Sequence, residues 1–112
     1  MGLLRKLLGM RIDQDLIDMG GKVAAESQTM VWQLLQSSVG TMHSTPEAQA
    51  FVRVRVRRVV RHQMYRVMNR RDWSAPERED AILNQALSIL AGQYAGRLLA
   101  PATALPSMRR AA

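Results

Sequence analysis

From Ala48 to Arg71 the chain has no acidic residue and eight arginines, Arg53, Arg55, Arg57, Arg58, Arg61, Arg66, Arg70 and Arg71. Val52, Val56, Val59, Val60, Met64 and Val67 run between them at helical spacing, so one element would bury an apolar stripe and hold a cationic face in water. Part of the segment argues for a strand instead, because residues 52–57 alternate strictly between valine and arginine. The alternation fails at Arg57-Arg58 and Val59-Val60, and no other segment offers a partner strand. The reading is therefore a helix over about 46–71. Its start is marked by Thr45 as N-cap, Pro46 at the first helical position and Glu47 against the positive end of the dipole.

Two further helices flank it. Over about 13–38, Leu16, Met19, Val23, Met30 and Leu34 recur every three or four residues, with Val31 and Leu35 widening the stripe. Asp13 is placed to cap this helix, and Gly20-Gly21 marks a weak point where it would kink or break. Over about 75–99, Ser74 and Glu77 form a capping box, Ile82, Leu83, Ala86, Leu87, Leu90, Tyr94 and Leu98 make the buried face, and Pro101 ends the run. Short connections between long helices favour antiparallel neighbours. The expected architecture is all-α: a three-helix bundle or an extended helical hairpin, occupying 13–100 as one domain. An amphipathic leader at 1–12 and a flexible basic tail at 101–112 complete it.

Size and composition narrow the function classes. At 112 residues the chain makes one domain at most. It lacks cysteine, which removes disulfides and thiolate metal sites. Nothing approaches the ~18 apolar residues of a membrane-spanning helix, and the start is too short for a signal-peptide core. Lys6 stands where a myristoylation motif wants Ser or Thr. These features suggest a soluble intracellular protein. His43 and His62 have no carboxylate or serine at a telling spacing, and no phosphate loop or metal-ligand cluster is present. Neither enzymatic activity nor a cofactor is expected.

Net charge is +7, and arginine supplies 14 of the 16 basic residues. Arginine offers a planar fork of donors matched to phosphate or carboxylate, although GC-rich codon usage gives the same preference. Like charges at i,i+4 destabilise a helix, so an uncompensated run carries a standing cost that a bound polyanion would relieve. The expected binding residues are Arg53, Arg55, Arg57, Arg58, Arg61 and Arg66, with Tyr65 for stacking on bases. Phe51, Val54 and Met68 interleave on the same side. Contact would be directed to phosphate, because no DNA-reading motif is recognisable. Acidic residues that follow, Asp72, Glu77, Glu79 and Asp80, would neutralise part of the charge.

Two other features suggest partners. Leu3, Leu4, Leu7 and Leu8, edged by Arg5 and Lys6, form a short amphipathic turn that would dock on the bundle, on a neighbouring subunit or weakly on a membrane surface. Ser88, Gly92 and Gly96 form a small-residue row that suggests close helix–helix contact, within the chain or between copies. Trp32 lies off the main stripe, and Trp73 falls in the second loop. The leading expectation is a nucleic-acid-binding helical module, as an oligomer or part of a larger assembly. Its alternatives are a structural subunit, such as a virion component, whose arginines meet acidic protein surfaces, and a peripheral membrane protein.

Overall fold

A computed structural model describes the backbone over residues 2–70 and 76–101, and the side chains over 14–70 and 76–101. Three helices account for most of it: α1 (Gly2–Leu35), α2 (Thr45–Arg70) and α3 (Glu79–Leu98). A 3-10 turn at Gln36–Ser38 extends α1, and another at Pro76–Arg78 leads into α3. Gly20 of α1 lies against Gln85 of α3, and Gln28 bonds Gln93, so these two helices run parallel. Glu26 meets Arg70 and Met30 meets Gln63, which sets α2 antiparallel to α1. The chain is a three-helix bundle.

α1 differs from its expected form at both ends and in the middle. It begins at Gly2, so residues 2–12 continue the helix as backbone and Asp13 is interior rather than a cap. Nothing before Asp13 stops a helix: the segment has no proline and is rich in Leu, Arg, Lys and Met, all strong helix formers. Gly20 and Gly21 do not break it either. A Cβ on Gly20 would stand 2.5 Å from Gln85 Cγ and 2.9 Å from Gln85 Cβ, so glycine is what lets α1 approach α3 there. The apolar stripe is carried by Met19, Val23, Val31 and Leu35, while Leu16 and Leu34 are half-buried and Met30 is exposed.

α2 feeds the core with a row at every fourth position: Ala48, Val52, Val56, Val60, Met64 and Met68, all buried. Valine is a mediocre helix former because its branched side chain is stiff against the preceding turn. Fully burying each one returns on the order of 1.5 kcal/mol or more, enough to outweigh that preference. The apolar face of α3 is buried from Ile82 to Leu98 at every position read from its spacing. Two polar side chains lie inside, and both are satisfied. Ser27 Oγ donates to Val23 O at 2.7 Å, and Gln63 Nε2 donates to Met30 sulfur at 2.9 Å.

The connection between α1 and α2 ties down the end of α3. Gly40, at φ 74°, donates its N–H to Arg97 O at 3.2 Å, and Met42 donates to Leu98 O at 2.7 Å. Ala100 N–H returns to Met42 O at 2.7 Å. Carbonyls left open at the helix C-terminus are thus taken by backbone amides of the loop. The positive φ is why glycine stands at position 40. At the start of α2, Ser44 is the N-cap rather than Thr45: its Oγ accepts from Glu47 N–H at 3.2 Å and its carbonyl accepts from Ala48 N–H at 3.0 Å. Glu47 reaches back to accept from His43 N–H at 2.9 Å. The expected capping residue of α3, Ser74, lies outside the described residues, as do Arg71, Asp72, Trp73 and the tail after Pro101.

Candidate functional site

The buried row of α2 leaves its opposite side in water, and two rows at four-residue spacing run along that side. One is Arg53, Arg57, Arg61 and Tyr65; the other is Val54, Arg58, His62, Arg66 and Arg70. Every member is exposed, Val54 at 78% and Tyr65 at 42%. Successive members of a row are separated by about 6 Å along the axis. Arg55 stands to one flank, where its Nε–H is 3.5 Å from Leu34 O at the end of α1. Two residues expected on this face are not on it. Met68 is buried as the last member of the every-fourth row, and Phe51 packs half-buried against the core on the flank it shares with Arg55.

Counter-charge is distributed unevenly along the helix. Arg70, in the last turn, forms an ion pair with Glu26 of α1. That hydrogen bond holds the Glu26 carboxyl below its ordinary range against an opposing effect of desolvation, with the positive charges of Arg70, Lys22 and Arg66 adding to the lowering. Among the described residues, no carboxylate lies within 4.0 Å of the guanidinium of Arg53, Arg55, Arg57, Arg58, Arg61 or Arg66. Glu79 and Asp80, expected as part of the neutralising set, do not pair with these arginines. Glu79 instead accepts the Tyr65 hydroxyl at 2.7 Å. This bond raises the Tyr65 phenol above its ordinary value, desolvation and the negative charge of Glu79 acting in the same direction.

The other singled-out positions separate clearly. Ser88, Gly92 and Gly96 are exposed, and a Cβ on either glycine would meet nothing within 4 Å. They are therefore not a seam of this bundle; the close helix–helix approach is at Gly20, across from Gln85. Leu3, Leu4, Leu7 and Leu8 fall in the first turns of α1 as backbone, and their side chains lie outside the described residues. His43 is exposed in the loop before α2, and His62 is exposed within the second row.

One cluster was not legible from sequence. Trp32 of α1 stacks on Tyr94 of α3 at 5.9 Å between centroids and 19° between planes. The Arg97 guanidinium lies 5.1 Å from the Trp32 ring centroid and 5.5 Å from that of Tyr94. It fastens α1 to α3 by stacking and cation–π attraction. Only the three-residue spacing from Tyr94 to Arg97 hints at it, and the register against Trp32 supplies the rest.

Among the described residues there is no group of three His, Asp or Glu placed to hold a metal ion. None of the helices, over those residues, is long and apolar enough to cross a membrane. No protein-family model matches the chain, and no curated protein or solved structure matches it either.

Proposed function

We propose that this protein is a binding module, not an enzyme, that holds nucleic-acid phosphate on the outer face of α2. One observation carries the reading: six exposed arginines, from Arg53 to Arg66, with no carboxylate within 4.0 Å among the described residues. Six guanidinium groups on one helix repel each other at i,i+3 and i,i+4. A phosphate backbone relieves that repulsion and releases its own condensed counterions, so binding is driven by charge and weakened by salt. Arg53, Arg55, Arg57, Arg58, Arg61 and Arg66 are the phosphate contacts. The planar fork suits two oxygens of one phosphate, which lysine would not reproduce.

The test is binding of labelled DNA and RNA oligonucleotides of unrelated sequence across a salt series. Affinity should fall with salt along a slope of several counterions and vary little with sequence. Replacing Arg53, Arg57 and Arg61 together by alanine should flatten that slope by about 2–3. An unchanged slope in the triple variant would show that the nucleic acid sits elsewhere. Absence of binding at low salt would move the assignment to a protein assembly with acidic surfaces. The uncovered row Ser88, Gly92 and Gly96 on α3 would then be the first place to seek the neighbouring subunit.

A further inference from the structure

We infer that the strand held on this face is single, laid along Arg53, Arg57 and Arg61, with an unpaired base stacked on Tyr65. This rests on the phosphate-binding reading above and adds the form of the nucleic acid. Each step along the row advances about 6 Å. Neighbouring phosphates along one nucleic-acid strand are separated through space by a distance of the same order, whether the strand is stacked or extended. The row can therefore meet consecutive phosphates of one strand, and what selects an unpaired strand is the ring at its end.

Tyr65 takes the next step of the same row, and its surroundings give it a different task from the arginines. Its hydroxyl is spent on Glu79 at 2.7 Å, so it is not available to a phosphate oxygen, and that bond fixes where the ring lies. Tyr65 carries no positive charge, so the row that begins with three guanidinium groups ends in a ring and not in a fourth phosphate contact. What remains on offer is the face of a ring 42% exposed. A ring face takes a base only when that base is free of its own stack, which a duplex forbids and a single strand permits.

The experiment compares a labelled oligothymidylate with a mixed-sequence duplex of equal length at one salt concentration. The protein variants are wild type, Tyr65→Ala, Tyr65→Phe and the triple arginine variant. Wild type should prefer the single strand by about tenfold or more. Tyr65→Ala should lose about that factor on the single strand while its duplex affinity and salt slope stay as in wild type. Tyr65→Phe, which keeps the ring, should retain most of the preference. Tyr65 is exposed, so circular dichroism should show all variants folded alike. Equal affinity for both probes, or an equal effect of Tyr65→Ala on both, overturns the single-strand inference. If the triple variant still flattens the salt slope in that case, phosphate binding survives without it. No binding of either probe removes both.

Discussion

The outer faces of α2 and α3 are both left uncovered by the bundle, yet one is crowded with charge and the other is almost bare. Each is locally unfavourable. Arginines at i,i+4 repel along α2, and glycines at 92 and 96 weaken α3 by roughly 0.5–1 kcal/mol each relative to alanine. Neither face recovers that cost from a neighbour among the described residues. The two differ in what would relieve them. Charge repulsion is long-ranged, so any polyanion reduces it, and the sign alone is enough to propose a class of partner. A missing side chain is exploited only by a surface fitted closely against it, and nothing about two glycines says what that surface is. This is why α2 supports a functional assignment and α3 does not.

The sharpest way to break the comparison is to give α2 a counter-charge of its own. Val54→Glu places a carboxylate three residues before Arg57 and four before Arg58, the favourable orientation for a helical ion pair. Thermal stability should rise slightly, and nucleic-acid affinity should fall by about tenfold at low salt. Val54→Gln should change affinity much less. Equal effects of the two substitutions would mean that charge on this face is not what binds.

The bare face is probed by alanine. Gly92→Ala should stabilise the fold in chemical denaturation by about 0.5–1 kcal/mol, because the new methyl meets nothing within 4 Å and the helix gains propensity. Nucleic-acid affinity should not move. Gly20→Ala is the counter-case. The same propensity gain is opposed by overpacking of about 1–3 kcal/mol against Gln85, and the net effect should be destabilising. If Gly92→Ala instead destabilises the protein or dissociates an oligomer, α3 carries an interface between copies.

That pair of glycines also shows where sequence reasoning reaches its limit. The buried rows of α2 and α3 were legible because apolar residues recur every three or four positions. The exposure of the arginines was legible because unpaired charge is not buried. Which glycine faces a neighbouring backbone depends on how each helix is rotated about its axis, and periodicity does not resolve two faces that are both free of large side chains. Gly20 looked like a break and is a contact, while Gly92 and Gly96 looked like a contact and face solvent. Met30 sat on the apolar stripe and is exposed for the same reason. The Trp32, Tyr94 and Arg97 cluster needs the register between α1 and α3, which no local pattern carries. The shift of the α2 cap from Thr45 to Ser44 is smaller in kind: both side chains are competent, and only the backbone decides which carbonyl receives the first helical bond.

A finer test separates the Tyr65 end of α2, where stacking is proposed, from its charged rows. Glu79→Gln weakens the hydrogen bond that chiefly raises the Tyr65 phenol above its ordinary value of 10.0 and removes the negative charge that adds to it, so ultraviolet titration should show one tyrosine ionising at lower pH than in wild type. Because the folded-state value is raised, the bond stabilises the fold fully below the ordinary phenol range and loses its effect as pH rises through the folded value. The stability difference between wild type and Glu79→Gln should therefore be present at neutral pH and shrink on the alkaline side. An unshifted tyrosine titration would show that Glu79 does not hold the ring in solution.

The smallest effect belongs to the one arginine among the described residues of α2 that already has a carboxylate partner. Arg70 meets Glu26, and the Glu26 carboxyl is lowered mainly by that hydrogen bond. A carboxylate whose folded-state value is depressed stabilises the fold above its unfolded value and loses that contribution as pH falls through the folded one. Wild type should exceed Glu26→Gln in thermal stability at neutral pH, and the two should converge on acidification below the ordinary glutamate value of 4.5. The same substitution frees Arg70 to join the row of Arg58, His62 and Arg66, so affinity for a polyanion should rise by about twofold rather than fall. A decrease would mean that the pair positions the end of α2 for binding. The contrast between paired and unpaired arginines would then be one of geometry, not of charge.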